Sequence, residues 1–484
     1  MQLPSKTTPP QIVLEKMQQL RSQDYRWQDG KVWSLVYYAG EEVYQLVKEA
    51  FNLYFSENGL NPTVFPSLRK FETEVIRMTA FLLGGNEETA GTMTSGGTES
   101  ILMAVKTARE YARAHQPQIK KPEMILPSSA HPAFQKAAHY FDIVPIVVPV
   151  TSEYQADVKA IEQKICSQTI LLVASAPSYP HGILDPIAEI GKLAQENNIL
   201  FHVDACIGGF ILPFLQKLGY PIPPFGFEVP GVTSISTDIH KYGYAAKGAS
   251  VILYKNREIR KHQFFVYTEW PGGIYGSPSV AGTRPGGAIA AAWAVMNHLG
   301  EEGYLRLAQA TMQAAQKIKE GIQQIEDLYI IGNPCATLLA FGSSTVDIYA
   351  IADEMTQKGW HIDRQQFPPC LHLTVNYIHT SIVDQFLADL KEATKRAKKS
   401  TVRNITNKMI KGLVKTTVKF LPPHWVSKLT VLSSSLIKAQ PSKKRSAAMY
   451  GMMGELPNRG DLHELVLNFM DKLNSFENTS NSKQ

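Results

Sequence analysis

The chain has 484 residues, too many for one average domain, so two or three domains are expected. Apolar residues make up 44% of the chain and charged residues 19%, which excludes a largely disordered protein and predicts a sizeable core. The net charge of +6 is unevenly spread, because residues 391–445 carry fifteen Lys or Arg against one acidic residue. The basic character therefore belongs to one late segment, and general nucleic-acid binding is not indicated.

Cysteine usage and hydropathy predict the compartment. The four cysteines, at positions 166, 206, 335 and 370, lie far apart and form no CxxC pair, so neither a disulfide framework nor a metal site is indicated. The N-terminus lacks the apolar core of a signal peptide, and no run of about 18 apolar residues occurs. We expect a cytoplasmic protein without a transmembrane segment.

Residues 1–65 are predicted to form an N-terminal helical arm. Two helical patterns flank a stretch rich in Trp and Tyr, and this aromatic surface needs a larger body or a partner subunit to cover it. Residues 66–315 alternate helical and apolar strand patterns, which is typical of an α/β domain. A smaller α+β domain is predicted over residues 316–484, with a basic insertion at about 395–445.

The stretch VTSISTDIHKYGYAAKGASVILY, residues 232–254, places Lys241 at a turn between two β-branched, apolar strands. A lysine attacks a carbonyl only as the free amine, and burial or a nearby cation lowers its pKa. His240 and Lys247 are candidates to supply that positive potential. The pattern suits a lysine that carries a carbonyl cofactor, but taken alone it favours the alternative, a surface hairpin rich in Lys and Tyr.

The stretch GTMTSGGTES precedes a helical pattern. Gly96 and Gly97 permit close backbone approach, Thr98 offers a hydroxyl, and the helix start adds unpaired amides, which together suit a phosphate. An ordinary capped loop is the alternative. Asp204 ends an apolar strand, where a pyridinium N–H is one partner for its carboxylate and a loop cap is the other explanation. His131 opens a helix and is placed either to stack on a flat ring or to serve structure alone.

These features occur in the order used by fold-type I pyridoxal-phosphate enzymes. The segments TSGGTESILMAVK, HVDACIGGF, HKYGYA-KG, GGIYGSP-AG-RPGG and a late YGM resemble sphingosine-1-phosphate lyases, over residues 30–390 and about 447–473. The resemblance implies a mostly parallel α/β sheet with flanking helices, a smaller C-terminal domain, pyridoxal 5'-phosphate as cofactor, and a homodimer with a shared active site.

The resemblance also assigns roles to individual residues. Lys241 carries the cofactor as a Schiff base, Asp204 faces its ring nitrogen and His131 stacks on the ring. The cofactor phosphate is held by residues from two subunits: Gly97, Thr98 and His240 from one, and Gly282 and Thr283 from the other.

Tyr38, His181 and Lys247 match family positions near the substrate phosphate. Two departures occur in the arm, where LNPT replaces the usual LHPD and WSLVYYAG replaces SGAVY-G. Asn61 therefore stands where the family has a histidine associated with activity, and it cannot shuttle a proton near neutral pH. Tyr38 and Asn61 join Lys241 as the candidate catalytic residues.

The implied activity is cleavage of sphingosine 1-phosphate, or a related phosphorylated long-chain base, into phosphoethanolamine and a fatty aldehyde. An amino-acid decarboxylase of the same fold is one alternative, and a non-catalytic, membrane-associated relic is another. In the basic insertion, apolar residues recur at near-helical spacing with lysines on the opposite faces. This pattern suits either peripheral contact with an anionic membrane or a lid or dimer-packing insertion.

Overall fold

A computed structural model describes residues 3–61 and 63–403, together with residues 463, 466–468, 470 and 471. The α-helices of the first two ranges are α1 (Pro10–Arg21), α2 (Glu41–Leu53), α3 (Pro66–Leu82), α4 (Gly97–His115), α5 (Ala133–Phe141), α6 (Val158–Lys164), α7 (Ile187–Glu196), α8 (Leu212–Lys217), α9 (Arg257–Arg260), α10 (Gly286–Gln323), α11 (Ile348–Gln357) and α12 (Val383–Arg403). Helix α10 is broken at Gly300, which has non-helical backbone angles.

The strands are β1 (Ala90–Thr94), β2 (Glu123–Pro127), β3 (Val144–Val148), β4 (Thr169–Ser175), β5 (Leu200–Asp204), β6 (Ser234–Asp238), β7 (Ser250–Tyr254), β8 (Phe265–Tyr267), β9 (Tyr275–Ser277), β10 (Leu328–Ile330), β11 (Leu338–Ser343), β12 (Asp363–Gln366) and β13 (Pro369–Thr374).

The large domain is built on a seven-stranded sheet of order β1-β7-β6-β5-β4-β2-β3. Only β7 runs against its neighbours, and all other adjacent pairs are parallel. Strands β4, β6 and β7 are buried along their whole length, as strands covered by helices on both faces must be. The predicted mostly parallel α/β sheet with flanking helices is confirmed.

The carboxyl ends of β1, β5 and β6 meet at one edge of this sheet, where ligands bind in open α/β folds. Strand β1 leads there into the start of α4, β5 ends at Asp204, and β6 ends at Asp238. The chain between β6 and β7 forms the predicted turn, and the antiparallel register pairs Asp238 with Ser250. This turn, residues 239–249, is called the lysine turn below because it contains Lys241.

The small domain contains an antiparallel sheet of order β10-β11-β13-β12, packed against α11 and α12. The N-terminal arm divides its contacts between the two domains. Trp33 is fully buried in the small-domain core, with its ring stacked 4.1 Å from that of His379. Val43 and Val47 of α2 join the core of the large domain. The predicted boundary at residue 315 falls within α10, and the domain limits stay predictions.

Most of the basic insertion, residues 404–445, and the YGM motif at 450–452 lie outside the described residues. Membrane contact, or a lid, therefore stays a prediction. Among the described residues, none of the helices combines the length and the apolar character that a membrane crossing requires.

Candidate active site

Lys241 is held by an ion pair at the sheet edge. Its Nζ lies 3.0 Å from Oδ2 of Asp238, three residues earlier in the chain, at the end of β6. The Asp238 side chain is only 2% exposed, and its second oxygen, Oδ1, is buried without a hydrogen-bond partner. Asp238 lies within the stretch of residues 232–254, where the sequence alone predicted no role for it. The one sequence feature that indicates the ion pair is the spacing of three residues between Asp238 and Lys241, which allows the two side chains to meet across a tight turn.

This pair corrects the expected electrostatics of Lys241. We expected burial and neighbouring cations to lower its pKa. Burial does lower it, but the negative charge of Asp238, with a smaller contribution from Asp204, raises the pKa above the ordinary value overall. The expectation was wrong because it counted the cations in the turn and left out the buried carboxylate that precedes them.

The start of α4 is packed against the same carboxylate. A Cβ atom on Gly97 would lie 2.8 Å from Sγ of Cys206 and 2.9 Å from Oδ2 of Asp238, so only glycine fits. A Cβ on Gly96 would meet only Cε1 of His240, at 3.8 Å. The backbone of α4 thus begins in direct contact with the lysine turn. Its unpaired amides and the positive end of its dipole are available to an anion there.

The first turn of α4 also carries Thr98, which is exposed. The carboxylate of the next residue, Glu99, accepts hydrogen bonds from the N–H and the hydroxyl of Ser95, at 2.7 and 2.6 Å. Its other oxygen accepts from the N–H of Val280, at 2.9 Å. Glu99 therefore fixes the loop before α4 and ties it to the segment that contains Gly282 and Thr283.

Asp204 is oriented by a buried polar network that sequence analysis did not identify. Its Oδ1 accepts from the N–H of Cys206 at 3.0 Å and from the hydroxyl of Ser236 at 3.4 Å. The Ser236 hydroxyl also lies 3.1 Å from Nε2 of His202, whose Nδ1 lies 2.9 Å from Oγ of Ser234. Burial lowers the pKa of His202 to about 4, so its ring is neutral. With Ser236 donating to Asp204, the ring donates from Nε2 and accepts at Nδ1.

His240 and Lys247 complete the lysine turn. Nδ1 of His240 is 2.8 Å from the carbonyl of Ala249, and Nε2 lies 3.8 Å from Oδ2 of Asp238. Lys247 is exposed as a whole, but its ammonium donates to the carbonyl of His240 at 3.1 Å and lies 5.3 Å from the centre of the Tyr37 ring. Partial burial of the ammonium, helped by the positive charge of Lys241, lowers the pKa of Lys247 to about 8.

In the arm, Tyr37 reaches further into the site than Tyr38 does. The hydroxyl of the half-buried Tyr38 donates to the exposed carboxylate of Glu41 at 3.0 Å. The ring of Tyr37 packs 5.0 Å from that of Tyr242. Burial raises the pKa of Tyr37, and the negative charge of Asp238 raises it further. The Lys247 ammonium lies 5.3 Å from the centre of its ring, which places Tyr37 beside the lysine turn. Because Tyr37 and Tyr38 are adjacent in the sequence, the sequence alone did not indicate which of the two side chains faces the site.

Tyr179 is a second residue that sequence analysis missed. Its hydroxyl donates to Oδ2 of Asp363, at the start of β12 in the small domain, over 2.8 Å. Burial raises the pKa of Tyr179, and Asp363 raises it further while the charge of Lys241 opposes the shift. Burial alone would raise the pKa of Asp363, but hydrogen bonds from His361, Tyr179 and Ser34 lower it to about 2. This carboxylate therefore stays ionised and fixes the Tyr179 hydroxyl.

The two candidate histidines outside the lysine turn lie in different surroundings. His131 is exposed, and its Nδ1 accepts from the N–H of Ala133 at 3.1 Å, which fixes the ring at the start of α5. His181 is buried, and its ring packs 4.5 Å from that of Tyr154. Burial lowers the pKa of His181, opposed by its hydrogen bond to the backbone of Phe367. These contacts lie on the small-domain side, and its role with the substrate phosphate stays a prediction.

Asn61, Gly282 and Thr283 belong to two loops that contact each other. Oδ1 of Asn61 accepts from the N–H and the hydroxyl of Thr63, at 3.0 and 2.7 Å. In the same loop, the Asn58 amide donates to the hydroxyl of Thr283 at 3.3 Å. Gly282 precedes Thr283 and has open space around it, since a Cβ there would meet only the Tyr275 hydroxyl, at 3.8 Å. We call residues 57–61 with 282–284 the loop pair.

The residues around Lys241 fit pyridoxal phosphate. An amine stands at the sheet edge, the glycines at the start of α4 leave the helix amides open to a phosphate, and Asp204 presents a carboxylate to a pyridinium nitrogen. The buried, unpartnered oxygen of Asp238 is also consistent with a site that gains a further polar partner on binding. Burial raises the pKa of Cys206, so this neighbour is a thiol and does not compete as a nucleophile.

Comparison with known proteins agrees with this geometry. Residues 2–343 match the family model of the pyridoxal-dependent decarboxylase conserved domain. Sphingosine-1-phosphate lyase of Arabidopsis thaliana is 45% identical over 467 residues, which are 95% of this chain and 78% of that protein. The lyase of Saccharomyces cerevisiae is 39% identical over 98% of this chain and 75% of its own length.

Solved structures give the same result. The sphingosine-1-phosphate lyase of Burkholderia pseudomallei superposes with a TM-score of 0.80 and 38% identity, over 85% of this chain and 96% of that one. Glutamate decarboxylase of Lactobacillus brevis superposes with a TM-score of 0.73 at 19% identity, over 82% and 95% of the two chains, which shows a shared fold.

Proposed function

Because the chain belongs to the sphingosine-1-phosphate lyases, within the pyridoxal-dependent decarboxylase family, we propose that it cleaves a phosphorylated sphingoid base. The bond broken lies between C2, which bears the amine, and C3, which bears the hydroxyl. The products are phosphoethanolamine and a fatty aldehyde. The observation that carries the proposal is the position of Lys241, whose amine lies at the sheet edge beside the start of α4 and the Asp204 network.

Pyridoxal phosphate is the cofactor of this family. When bound, it serves as the electron sink for the carbanion that is left at C2. Lys241 would bind it covalently, the amides around Gly97 with Thr98 and His240 would hold its phosphate, and Asp204 would keep its ring nitrogen protonated. The Cys206 N–H and the Ser236 hydroxyl aim the Asp204 carboxylate, so hydrogen bonds within the protein set its orientation.

Proton movement at the substrate would involve hydroxyl groups on the arm side of the site. The raised pKa of Tyr179 keeps its phenol protonated at neutral pH, so it donates a hydrogen bond or a proton and does not start as a base. Asp363 of the small domain accepts a hydrogen bond from that hydroxyl at 2.8 Å. Tyr37 occupies the same side, beside Lys247.

Lys247 would bind the substrate phosphate. Its ammonium is fixed by the His240 carbonyl, one residue before Lys241, so a head group held there lies next to the reactive amine. Binding the phosphate there would select the reaction, because it would fix which bond at C2 is presented for cleavage. A decarboxylase has to grip a carboxylate there instead.

We also propose that the enzyme works as a homodimer with a shared site. The loop pair is the part of this chain that would reach the second subunit's site, bringing Gly282, Thr283 and Asn61 together. Hydrogen bonds that hold the two loops in one orientation support this role. The Arg284 guanidinium donates to both carboxylate oxygens of Glu72, at 2.6 and 2.9 Å, and to the carbonyl of Gly59, at 2.8 Å.

Product analysis tests the proposed reaction. The full chain, loaded with pyridoxal phosphate, should convert sphingosine 1-phosphate into equal amounts of phosphoethanolamine and long-chain aldehyde. Lys241→Ala should abolish turnover, with a loss of at least about a thousandfold, while the fold persists. Carbon dioxide released from an amino acid, without aldehyde from the sphingoid phosphate, would assign the chain to the decarboxylases. Full activity in Lys241→Ala would show that the reactive amine belongs to another residue, with Lys247 the first candidate.

A further inference from the structure

Tyr179 belongs to a loop of the large domain that packs on the small domain. The loop, residues 176–186, follows β4, and the N–H of Gly182 closes it by donating to the carbonyl of Ser178 at 2.9 Å. Gly182 has a φ of 71°, and a Cβ atom there would clash with the carbonyl oxygen of Leu338 in β11. The loop therefore lies directly against the small-domain sheet, and this contact helps to set the position of Tyr179.

Two side chains of that sheet hold Tyr179. Asp363 of β12 and His372 of β13 stand opposite each other in the antiparallel register, so their side chains are neighbours on one face. The Tyr179 hydroxyl donates to Oδ2 of Asp363 at 2.8 Å, and the Tyr179 ring lies 4.4 Å from the His372 ring. Burial lowers the pKa of His372 to about 4, so its ring is neutral. One cross-strand pair thus contacts both the hydroxyl and the ring of Tyr179.

The N-terminal arm reaches the same point. Val32 forms a β-bridge with His361, and the N–H of Trp33 donates to the His361 carbonyl at 3.1 Å. Nε2 of His361 lies 3.5 Å from Oδ1 of Asp363. Burial raises the pKa of Tyr37, four residues after Trp33, and the charge of Asp363 adds to that shift. Asp363 therefore lies where the arm, the large domain and the small domain meet.

The hydrogen bond between Tyr179 and Asp363 fixes a direction as well as a distance. Burial acts to raise the pKa of Asp363, but its hydrogen bonds lower the pKa to about 2, so the carboxylate is ionised at neutral pH. An ionised carboxylate can only accept, so the Tyr179 hydroxyl has to be the donor. Asp363 thus sets both the position of the phenol oxygen and the direction of its proton.

We propose that Asp363 is a positioning residue for the cleavage reaction, and that it acts from the small domain by holding the Tyr179 hydroxyl in place. This inference rests on the proposed function, because it takes that hydroxyl to act on the substrate during cleavage. Lys241 and Asp204 lie at the edge of the large-domain sheet, so Asp363 makes the small domain part of the reaction as well. Removing Asp363 should lower kcat and leave KM within about twofold, since the substrate phosphate is bound elsewhere.

The test compares two replacements in the full-length enzyme, loaded with pyridoxal phosphate and supplied with sphingosine 1-phosphate. Asp363→Asn keeps an acceptor oxygen and loses the charge, whereas Asp363→Leu has a similar shape and loses both. Because a charged hydrogen bond contributes more than a neutral one, kcat should fall by about three- to tenfold in Asp363→Asn and by at least about thirtyfold in Asp363→Leu. Thermal unfolding shows whether each variant is folded.

A double-mutant cycle with Tyr179→Phe separates positioning from stability. If the carboxylate acts through the Tyr179 hydroxyl, Asp363→Asn should change kcat by less than about twofold in the Tyr179→Phe background. Asp389→Asn is the matched control, because Asp389 is a small-domain carboxylate that is 19% exposed, compared with 28% for Asp363. It accepts from Nε1 of Trp360 at 2.9 Å and lies away from Tyr179. This variant should keep kcat within about twofold in both backgrounds.

Three results would overturn the inference while the proposed function stands. They are a kcat of both folded Asp363 variants that equals the wild-type value, an equal loss for Asp363→Asn with and without the Tyr179 hydroxyl, and an equal loss in Asp389→Asn. Should Asp363→Leu not fold, Asp363→Asn and the cycle decide by the same criteria. A wild type that does not cleave sphingosine 1-phosphate would contradict the proposed function itself.

Discussion

The lysine turn and the N-terminal arm are both part of the candidate site, but they are held together in different ways. In the lysine turn, partners lie close in sequence or end at the same sheet edge, as with Asp238 and Lys241, three residues apart. In the arm, contacts that anchor it join residues far apart in the chain, as with Trp33 and His379 or Asn58 and Thr283. Local geometry therefore fixes the reactive lysine, whereas the substrate side of the site depends on how two domains meet around the arm.

This difference agrees with where the chain departs from its family. The lysine turn and the start of α4 keep the family motifs, and Gly243 and Gly97 within them have no room for a side chain. The two departures from the family motifs, LNPT and WSLVYYAG, lie in the arm, and Asn61 in the first and Leu35 in the second are exposed. A position packed as tightly as Gly97 admits few replacements, whereas exposed positions of the arm admit replacements that alter rate or substrate choice without loss of the fold.

The sharpest test of the rigid region compares two adjacent glycines. Gly97→Ala places a Cβ within 2.9 Å of Sγ of Cys206 and Oδ2 of Asp238, so we expect a loss of about 1–3 kcal/mol in the free energy of unfolding. The affinity for pyridoxal phosphate should fall at least about tenfold, since α4 must shift. The Cβ of Gly96→Ala would meet only a His240 carbon, at 3.8 Å, so this variant should lower the free energy of unfolding by less than about 1 kcal/mol.

Thermal unfolding and titration with pyridoxal phosphate, followed by visible absorbance, measure both effects. Equal behaviour of the two variants would show that the packing of Gly97 against Asp238 does not shape the cradle.

A pH profile tests the contact between the two regions. Burial and the neighbouring Lys241 lower the pKa of Lys247 to about 8, so its ammonium is lost as the pH rises above that value. We expect kcat/KM for the phosphorylated substrate to fall by about tenfold per pH unit above about 8. Lys247→Arg, which stays charged, should keep kcat/KM flat over that range, even if its value is lower. A wild-type profile as flat as that of Lys247→Arg would exclude Lys247 as the phosphate contact.

Asn61 tests the arm, where we expect a smaller effect. A histidine there adds a charged hydrogen bond, worth roughly 0.5–2 kcal/mol more than a neutral one, so Asn61→His should be a few-fold to about thirtyfold faster. Its rate should acquire a titration near about pH 6–7. Asn61→Ala is the control, because both variants lose the amide contacts to Thr63. Equal loss of activity in the two variants would show that the amide itself is needed.

The smallest effect that we expect is a change in the free energy of unfolding, caused by backbone strain in the arm. Leu35 has a φ of 71° and is 70% exposed, a left-handed conformation that costs a side-chain-bearing residue about 1–2 kcal/mol. Leu35→Gly removes that strain and adds a flexibility cost of about 0.5–1 kcal/mol, so the free energy of unfolding should rise by up to about 1 kcal/mol. Leu53→Gly, at the exposed end of α2, should lower it by up to about 1 kcal/mol. Urea unfolding that shows both variants destabilised would contradict the assignment of strain to Leu35.

The sequence allowed prediction of the sheet, its flanking helices and the position of Lys241, because hydrophobic period and turn residues act over a few positions. It did not allow prediction of the pair between Tyr179 and Asp363, which joins residues 184 positions apart across two domains. Nor did it indicate the sign of the Lys241 pKa shift, since that depends on whether Asp238 points inward. Periodicity likewise could not show that Tyr37, and not Tyr38, turns toward the lysine.

The central claim is that Lys241 is the amine that carries the cofactor, and reduction of the loaded enzyme tests it most directly. The full chain is incubated with pyridoxal phosphate, treated with sodium borohydride, digested, and its peptides are sequenced by mass spectrometry. We predict one pyridoxyl-phosphate adduct, located on Lys241 and absent when borohydride is omitted. An adduct on Lys247, or no adduct in a protein that cleaves the sphingoid phosphate, would contradict the account.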